Sequence, residues 1–279
     1  MSTKHLISAT PRDRGPLPGR TFSFPLMETW RDWAWSALED FVTQGVKDTF
    51  RANPPEYLVS DDLSWLDNLV LETTGKDVDS KNLLAEALRY TFNTLRAAHA
   101  TRTDNVESFY RHGIRVLRPG EVENRARDLF VTTEYPHASE AALGEVIKRL
   151  GARNPAGGRI GTINFCCTED RLYGGWSSSD HYLVYGSEYL YCIGIRVIGE
   201  RETQKLLGSI GCPTLFICDL PMTLLSQDLL EGYSGMMIEA LFCELIDRRS
   251  SWASEGSCPV IYDDLAPQHI VGHFHPQLE

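Results

Sequence analysis

TLRAAHATR, residues 94–102, and TDNVESFYRHGI, residues 103–114, decide how this chain is organised. Leu95, Ala97, His99 and Thr101 alternate with their neighbours, so an extended strand puts all four on one face. TDNVESFYRHG then reads as a short helix stopped by Gly113. Ahead of this stretch the pattern is helical. In LMETWRDWAWSALEDFVTQGVKDTF (26–50) the residues Leu26, Trp30, Trp33, Ala37, Phe41 and Val42 recur at helical spacing. Asn53-Pro54-Pro55 breaks that helix, and Asp79 or Ser80 caps the next, SKNLLAEALR. Behind the stretch, β-compatible apolar runs lie far apart: RIGTINFCC (159–167), CPTLFICDLP (212–221) and QHIVGHFHP (268–276). EAALGEVIKRLG, stopped by Gly151, reads as a helix. TLLSQDLLEGYSGMMIEALFCELIDRR reads as a long amphipathic helix.

The order of elements predicts an α+β protein. A helical N-terminal part precedes a split, mostly antiparallel β core with flanking helices, without the βαβ rhythm of a doubly wound sheet. Residues 1–25, rich in Pro, Gly and Arg, read as an extended arm packed through Phe22 and Phe24. Residues 26–89 form the helical part and 90–279 the α+β domain. The four tryptophans between Trp30 and Trp65 read as core anchors, since each buries a large apolar area.

Charge narrows the partners. The 27 Lys and Arg against 38 Asp and Glu give −11 over 279 residues. That field repels polyanions and argues against broad nucleic-acid binding. No apolar run is long enough to span a bilayer, and MSTKHLISATPRDRGPLPGR has no apolar region of a secretory leader. The seven cysteines are odd in number, lack C-x-x-C spacing and mostly sit in apolar runs such as NFCC, LFICD and LFCEL. They read as buried free thiols in a cytoplasmic protein.

Several catalytic motifs are absent. Gly75-Lys76 lacks the preceding glycine of a phosphate loop. Gly157-Gly158 precedes a strand, the wrong context for a dinucleotide fingerprint. Gly232-Tyr233-Ser234-Gly235 is not a nucleophile elbow. His269, His273 and His275 share one face if they lie on one strand. No nearby carboxylate or cysteine spacing supports a metal there, and none is expected.

The stretch that remains is His99-Ala100-Thr101-Arg102, then Val106 to His112, then Gly113-Ile114. It resembles the opening motif of the ADP-ribosyltransferase superfamily, in which a strand bearing His-Gly-Thr leads into a helix that ends in Gly plus an aliphatic residue. The same opening occurs in poly-ADP-ribose polymerases, bacterial DNA-targeting toxins and RNA 2′-phosphotransferases. The resemblance spans roughly residues 90–275 and is specific only in this opening. It implies NAD as substrate, held by His99, Ala100, Thr101, Arg102 and Tyr182. His99 would donate to a ribose hydroxyl, and the backbone of Ala100 would pair with the nicotinamide carboxamide. Ala100 stands where the family has Gly, which adds a methyl. Arg102 would reach the pyrophosphate through its forked guanidinium.

Ser177-Ser178-Ser179-Asp180-His181-Tyr182-Leu183-Val184-Tyr185-Gly186-Ser187-Glu188-Tyr189-Leu190 matches by order the family segment that stacks an aromatic on nicotinamide. The resemblance gives Tyr185 that role, beside Tyr182. It also requires a carboxylate at the ribose. The family position before the last strand is occupied by Gln268, which carries no charge, so Glu188 is the candidate. EYLYCIGIRVI, which contains it, reads equally as strand or helix. Asp263 and Asp264 read as a solvated turn. His99, Tyr185 and Glu188 are thus the expected catalytic set of an enzyme modifying a macromolecular acceptor, such as a toxin or defence effector. The alternative is an inactive module of the same fold that binds a protein partner through its helical part. RNA 2′-phosphate transfer would need a basic pocket, which the acidic balance disfavours.

Overall fold

The computed structural model describes residues 5–6, 20–152, 160–168, 172, 181–250 and 258–276. Most of the expected arm, the Ser177–Asp180 part of the tyrosine segment and the Gly157-Gly158 turn lie outside the described residues. In chain order the first elements are β1 (His5–Leu6), β2 (Thr21–Phe22), α1 (Arg31–Leu38), α2 (Gln44–Ala52), α3 (Ser64–Thr74) and α4 (Ser80–Thr91). Then come β3 (Thr94–Thr103), α5 (Val106–His112), α6 (Pro119–Phe130), α7 (Glu140–Ala152) and β4 (Ile163–Asn164). The last are α8 (His181–Tyr185), α9 (Glu188–Val197), α10 (Glu200–Ser209), β5 (Cys212–Pro221), α11 (Gln227–Glu244), β6 (Val260–Ile261) and β7 (Ile270–His275). The chain is α+β, and none of its described helices is long and apolar enough to cross a membrane.

The chain divides into two compact units: 17–96 with 220–259, and 1–16 with 97–219 and 260–279. The expected helical part, 26–89, lies inside the first of these units. The 90–279 segment is not one unit, because α11 returns to the helical unit and interrupts it. The reason is burial. Leu230 and every residue from Tyr233 to Cys243 are buried, so α11 is covered on all sides and is not the amphipathic helix its sequence suggests. It packs on α4 and α1.

In this unit the expected 26–50 helix is two helices. The chain turns at 39–43, and the Thr43 hydroxyl accepts the Val46 N–H at 3.4 Å to start α2. Asp79 caps α4 by accepting from Asn82 N–H at 3.0 Å. The tryptophans do anchor the core. Trp30 is fully buried and donates to Phe24 O at 3.0 Å, while Trp35 and Trp65 meet Phe242 at 5.6 and 5.2 Å. Phe22 and Phe24 are buried against Tyr233.

The other unit holds the strand order β1-β7-β5-β3. β5 and β7 are antiparallel, with Phe216 opposite His273 and a bulge between Ile217 and Cys218. β2 pairs in parallel with the first residues of β3, which makes the sheet mixed, not uniformly antiparallel. The core is split as expected: β4 pairs with β6 in a separate ladder. RIGTINFCC is therefore a strand only at Ile163–Asn164, with single bridges from Ile160 to Leu117 and from Cys166 to Ala98. One sheet face carries a core of Ala98, Ala100, Cys166, Leu183, Leu215, Ile217 and Phe274. α5 contributes the opposite face, where Phe109 lies 4.4 Å from Phe216.

Candidate functional site

Strand alternation puts His99 and Thr101 on the face of β3 away from Ala98 and Ala100. His99 is half-buried, and its Nδ1 lies 3.0 Å from Asn164 O. A carbonyl only accepts, so Nδ1 carries the proton. Burial pushes the imidazole below its ordinary value, opposed by the bond to Asn164, and the ring is neutral at pH 7. Nε2 is then an acceptor. This reverses the expected donation: a ribose hydroxyl would donate to His99. Phe165 flanks the ring at 5.5 Å.

The backbone beside His99 is equally specific. Ala98 and Cys166 exchange both main-chain bonds, each 2.8 Å. That bridge is isolated, because the chain on the 163–164 side leaves to pair with β6. Ala100 directs its N–H and C=O along the same edge, and among the described residues no ladder continues there. Its methyl is buried in the core on the other side of the strand, so the Gly-to-Ala departure adds no bulk on the His99 face.

Arg102 does something other than expected. Its Nε donates to Ile210 O at 2.9 Å, Nη1 to Leu183 O at 3.0 Å, and Nη2 to Gly208 O and Gly211 O at 2.7 Å each. Four of its five N–H donors are spent on carbonyls at α8 and the C-terminus of α10, where a cation opposes the helix dipole. The guanidinium is a clamp between β3 and these helices and is not available to a pyrophosphate.

Downstream, Asn105 caps α5 by accepting from Ser108 N–H at 3.1 Å, and Gly113 ends it with φ 78°. A Cβ at Gly113 would sit 2.0 Å from Leu265 O. Only glycine fits, because the following residue, Ile114, pairs with Leu265 through bonds of 2.9 and 2.8 Å. The neighbouring Asp264, expected to be merely solvated, accepts from Val116 N–H and from Arg118, each at 2.8 Å.

The tyrosine segment sits elsewhere. EYLYCIGIRVI is helical, as α9, capped by Ser187, whose hydroxyl accepts from Leu190 N–H at 3.3 Å. Glu188 opens this helix and accepts from the Tyr182 hydroxyl at 3.0 Å. Tyr182 packs against the core that holds Ala98 and Ala100, the face of β3 opposite His99. Tyr185 packs on a second core of α6, α7, α9 and α10 and stacks on Tyr191 at 4.7 Å, with His181 edge-on at the same distance. His99, the Ala100 edge and Asn164 come together, and Tyr182 comes together with Glu188. The two groups belong to opposite faces of β3.

Gln268 is exposed in a 3-10 turn, Pro267–His269, just before β7. His269 shares that turn and does not share a strand face with His273 and His275. Among the described residues no group of three His, Cys, Asp or Glu could hold a metal. His273 is buried, with Nδ1 2.8 Å from the Tyr110 hydroxyl. Burial, and then the neighbouring His275, lower its pKa to about 4.

No family model, curated protein or solved structure matches the chain. The sequence reading missed Asn164, Asp264 and the Tyr110–His273 pair. Each partner lies 65 or more positions away, so no local spacing marks it.

Proposed function

We propose that the chain is an NAD-consuming ADP-ribosyltransferase acting on a macromolecular acceptor, with nicotinamide bound at the edge of β3. What supports this reading is the neutral His99 beside Ala100 at the end of β3, just past the isolated Ala98–Cys166 bridge. A carboxamide has one donor and one acceptor side and complements the N–H and C=O of one extended residue. A ribose hydroxyl would donate to His99 Nε2, with Thr101 on the same face. The glycosidic C–N bond then breaks, nicotinamide leaves with the bonding pair, and an acceptor nucleophile takes the ribosyl carbon while losing its proton to solvent. Free cysteines fit a cytoplasmic toxin or defence effector.

A second reading, a binding module without catalysis, is favoured by one observation. Glu188, the candidate carboxylate of the tyrosine segment, bonds Tyr182, which packs behind the strand from His99. Calorimetry with NAD and a nicotinamide-release assay test both. His99→Ala should weaken NAD binding by about 0.5–1.5 kcal/mol, several-fold in affinity. Glu188→Gln should lower release about 10²-fold or more if its charge serves the transition state. Release unchanged in Glu188→Gln would remove that carboxylate from the chemistry. NAD binding without release would select the second reading. No NAD binding at all would overturn the transferase reading and leave the partner-binding module.

A further inference from the structure

α4 carries apolar side chains on two faces. Leu84, Ala85 and Leu88 are buried in its packing with α11. On the opposite side Leu83, Ala87 and Tyr90 follow one another at i, i+4 and i+7, with Leu83 46% and Tyr90 91% exposed. A helix covered on one side normally turns polar residues to water on the other. Of the seven exposed large apolar residues among the described residues, six (Leu26, Tyr57, Val59, Leu71, Leu83 and Tyr90) belong to the helical unit.

The charge around this face is unbalanced. The helical unit holds 10 Lys and Arg against 19 Asp and Glu, net −9; the other unit holds 17 against 19, net −2. Between residues 61 and 91 there are three cations, and all three serve backbone carbonyls. Lys76 donates to Asp40 O, Lys81 to Asp61 O at 2.9 Å, and Arg89 to Met222 O and Leu225 O at 3.4 Å. The exposed carboxylates of this segment, among them Glu72, Asp77, Asp79 and Glu86, enter no ion pair among the described residues. Elsewhere in the chain exposed carboxylates do find partners, as in Arg31–Glu244 and Arg127–Glu140. The stripe on α4 therefore stands in a net negative field, with seven carboxylates against three cations between residues 61 and 91.

We infer that the outer face of α4 docks a basic amphipathic protein segment. Leu83, Ala87 and Tyr90 would meet its apolar side, and Glu86 and Asp79 its Lys or Arg residues. Helix-on-helix docking reads apolar anchors at this i, i+4, i+7 spacing. Tyrosine is a frequent hot-spot residue and offers a ring face to a cation. The inference is independent of the proposed NAD chemistry.

The test uses the full chain and a fluorescein-labelled Leu/Lys peptide of about 18 residues, about five helical turns, with Leu at helical spacing. The control is a peptide of the same composition with Leu out of that spacing. Fluorescence anisotropy in about 0.15 M salt should show saturable binding of the first peptide and weaker binding of the control. Leu83→Ser/Tyr90→Ser should weaken binding about tenfold or more, and Glu86→Lys should weaken it and reduce its salt dependence. Far-UV circular dichroism checks that the variants keep their helix content, since both apolar positions face water. Binding unchanged in Leu83→Ser/Tyr90→Ser would overturn the inference. So would equal binding of the two peptides. Self-association of the wild type that these substitutions abolish would give the face to a second copy and overturn it as well.

Discussion

Arg102 is the residue whose chemistry changed most between sequence and structure. A forked cation beside a histidine invites a phosphate, but its donors meet four carbonyls 81 to 109 positions away. Its loss should therefore act on stability. Arg102→Ala leaves the ends of α8 and α10 without their charged donor and should cost about 2–4 kcal/mol. Arg102→Lys should recover little, because an ammonium lacks the fork. Urea denaturation measures both; an Arg102→Ala midpoint indistinguishable from wild type would refute the clamp. His273 gives a prediction with a pH window. Its folded pKa is about 4, against about 6.5 when unfolded. Between these values the unfolded chain binds the extra proton. The contribution is complete above about pH 6.5 and is lost as pH falls toward 4. His99, also lowered, adds in the same direction. Melting temperature should fall across this window, and it should fall less in His273→Phe, which has no proton to take up. Equal slopes for the two proteins would show that His273 does not contribute.

At the scale of elements, some helix ends were legible, though not the break at 39–43 nor the end of α7, which runs past Gly151 to Ala152. Helix surroundings were not legible. Asp79 as a cap, Gly113 as a stop and the Asn53-Pro54-Pro55 break follow from local backbone chemistry, and each falls where it was expected. α11 did not follow from its pattern, because only packing reveals that both its faces are covered. Its approach to the loop before α3 is close: a Cβ at Gly235 would lie 2.1 Å from Ser60 O. Gly235→Ala should destabilise by about 1–3 kcal/mol, by forcing a backbone carbonyl aside. Gly232, on the same helix with open space around it, is the control. Gly232→Ala should be neutral or stabilising by up to about 1 kcal/mol. Thermal denaturation of the pair decides; equal effects would show that crowding at Ser60 is not the cause.

At the scale of the molecule, the helical unit is discontinuous, so its folding should need both segments. A fragment of residues 17–96 lacks α11 and leaves Leu84, Leu88, Phe50 and Trp65 without the surfaces that α11 supplies. Such a fragment should lack cooperative unfolding by circular dichroism, and adding the 220–259 segment through a linker should restore it. A cooperative transition in the fragment alone would show that the N-terminal helices are self-sufficient. The sequence by itself determined the α+β class, the four strand-bearing runs, the helix caps and the strand–helix–glycine order at His99, because each depends on residues within one or two turns of one another. It also determined that His99 and Thr101 share a face, since strand period is a local property. Only the tertiary structure decided that Arg102 is a clamp, that His99 donates from Nδ1 to Asn164 and so keeps Nε2 as an acceptor, and that Tyr182, the partner of Glu188, packs behind β3. It alone decided that α11 closes the unit that begins at residue 17. Those outcomes depend on partners 65 or more positions apart, and on which surfaces find cover when the chain folds back, neither of which local spacing records.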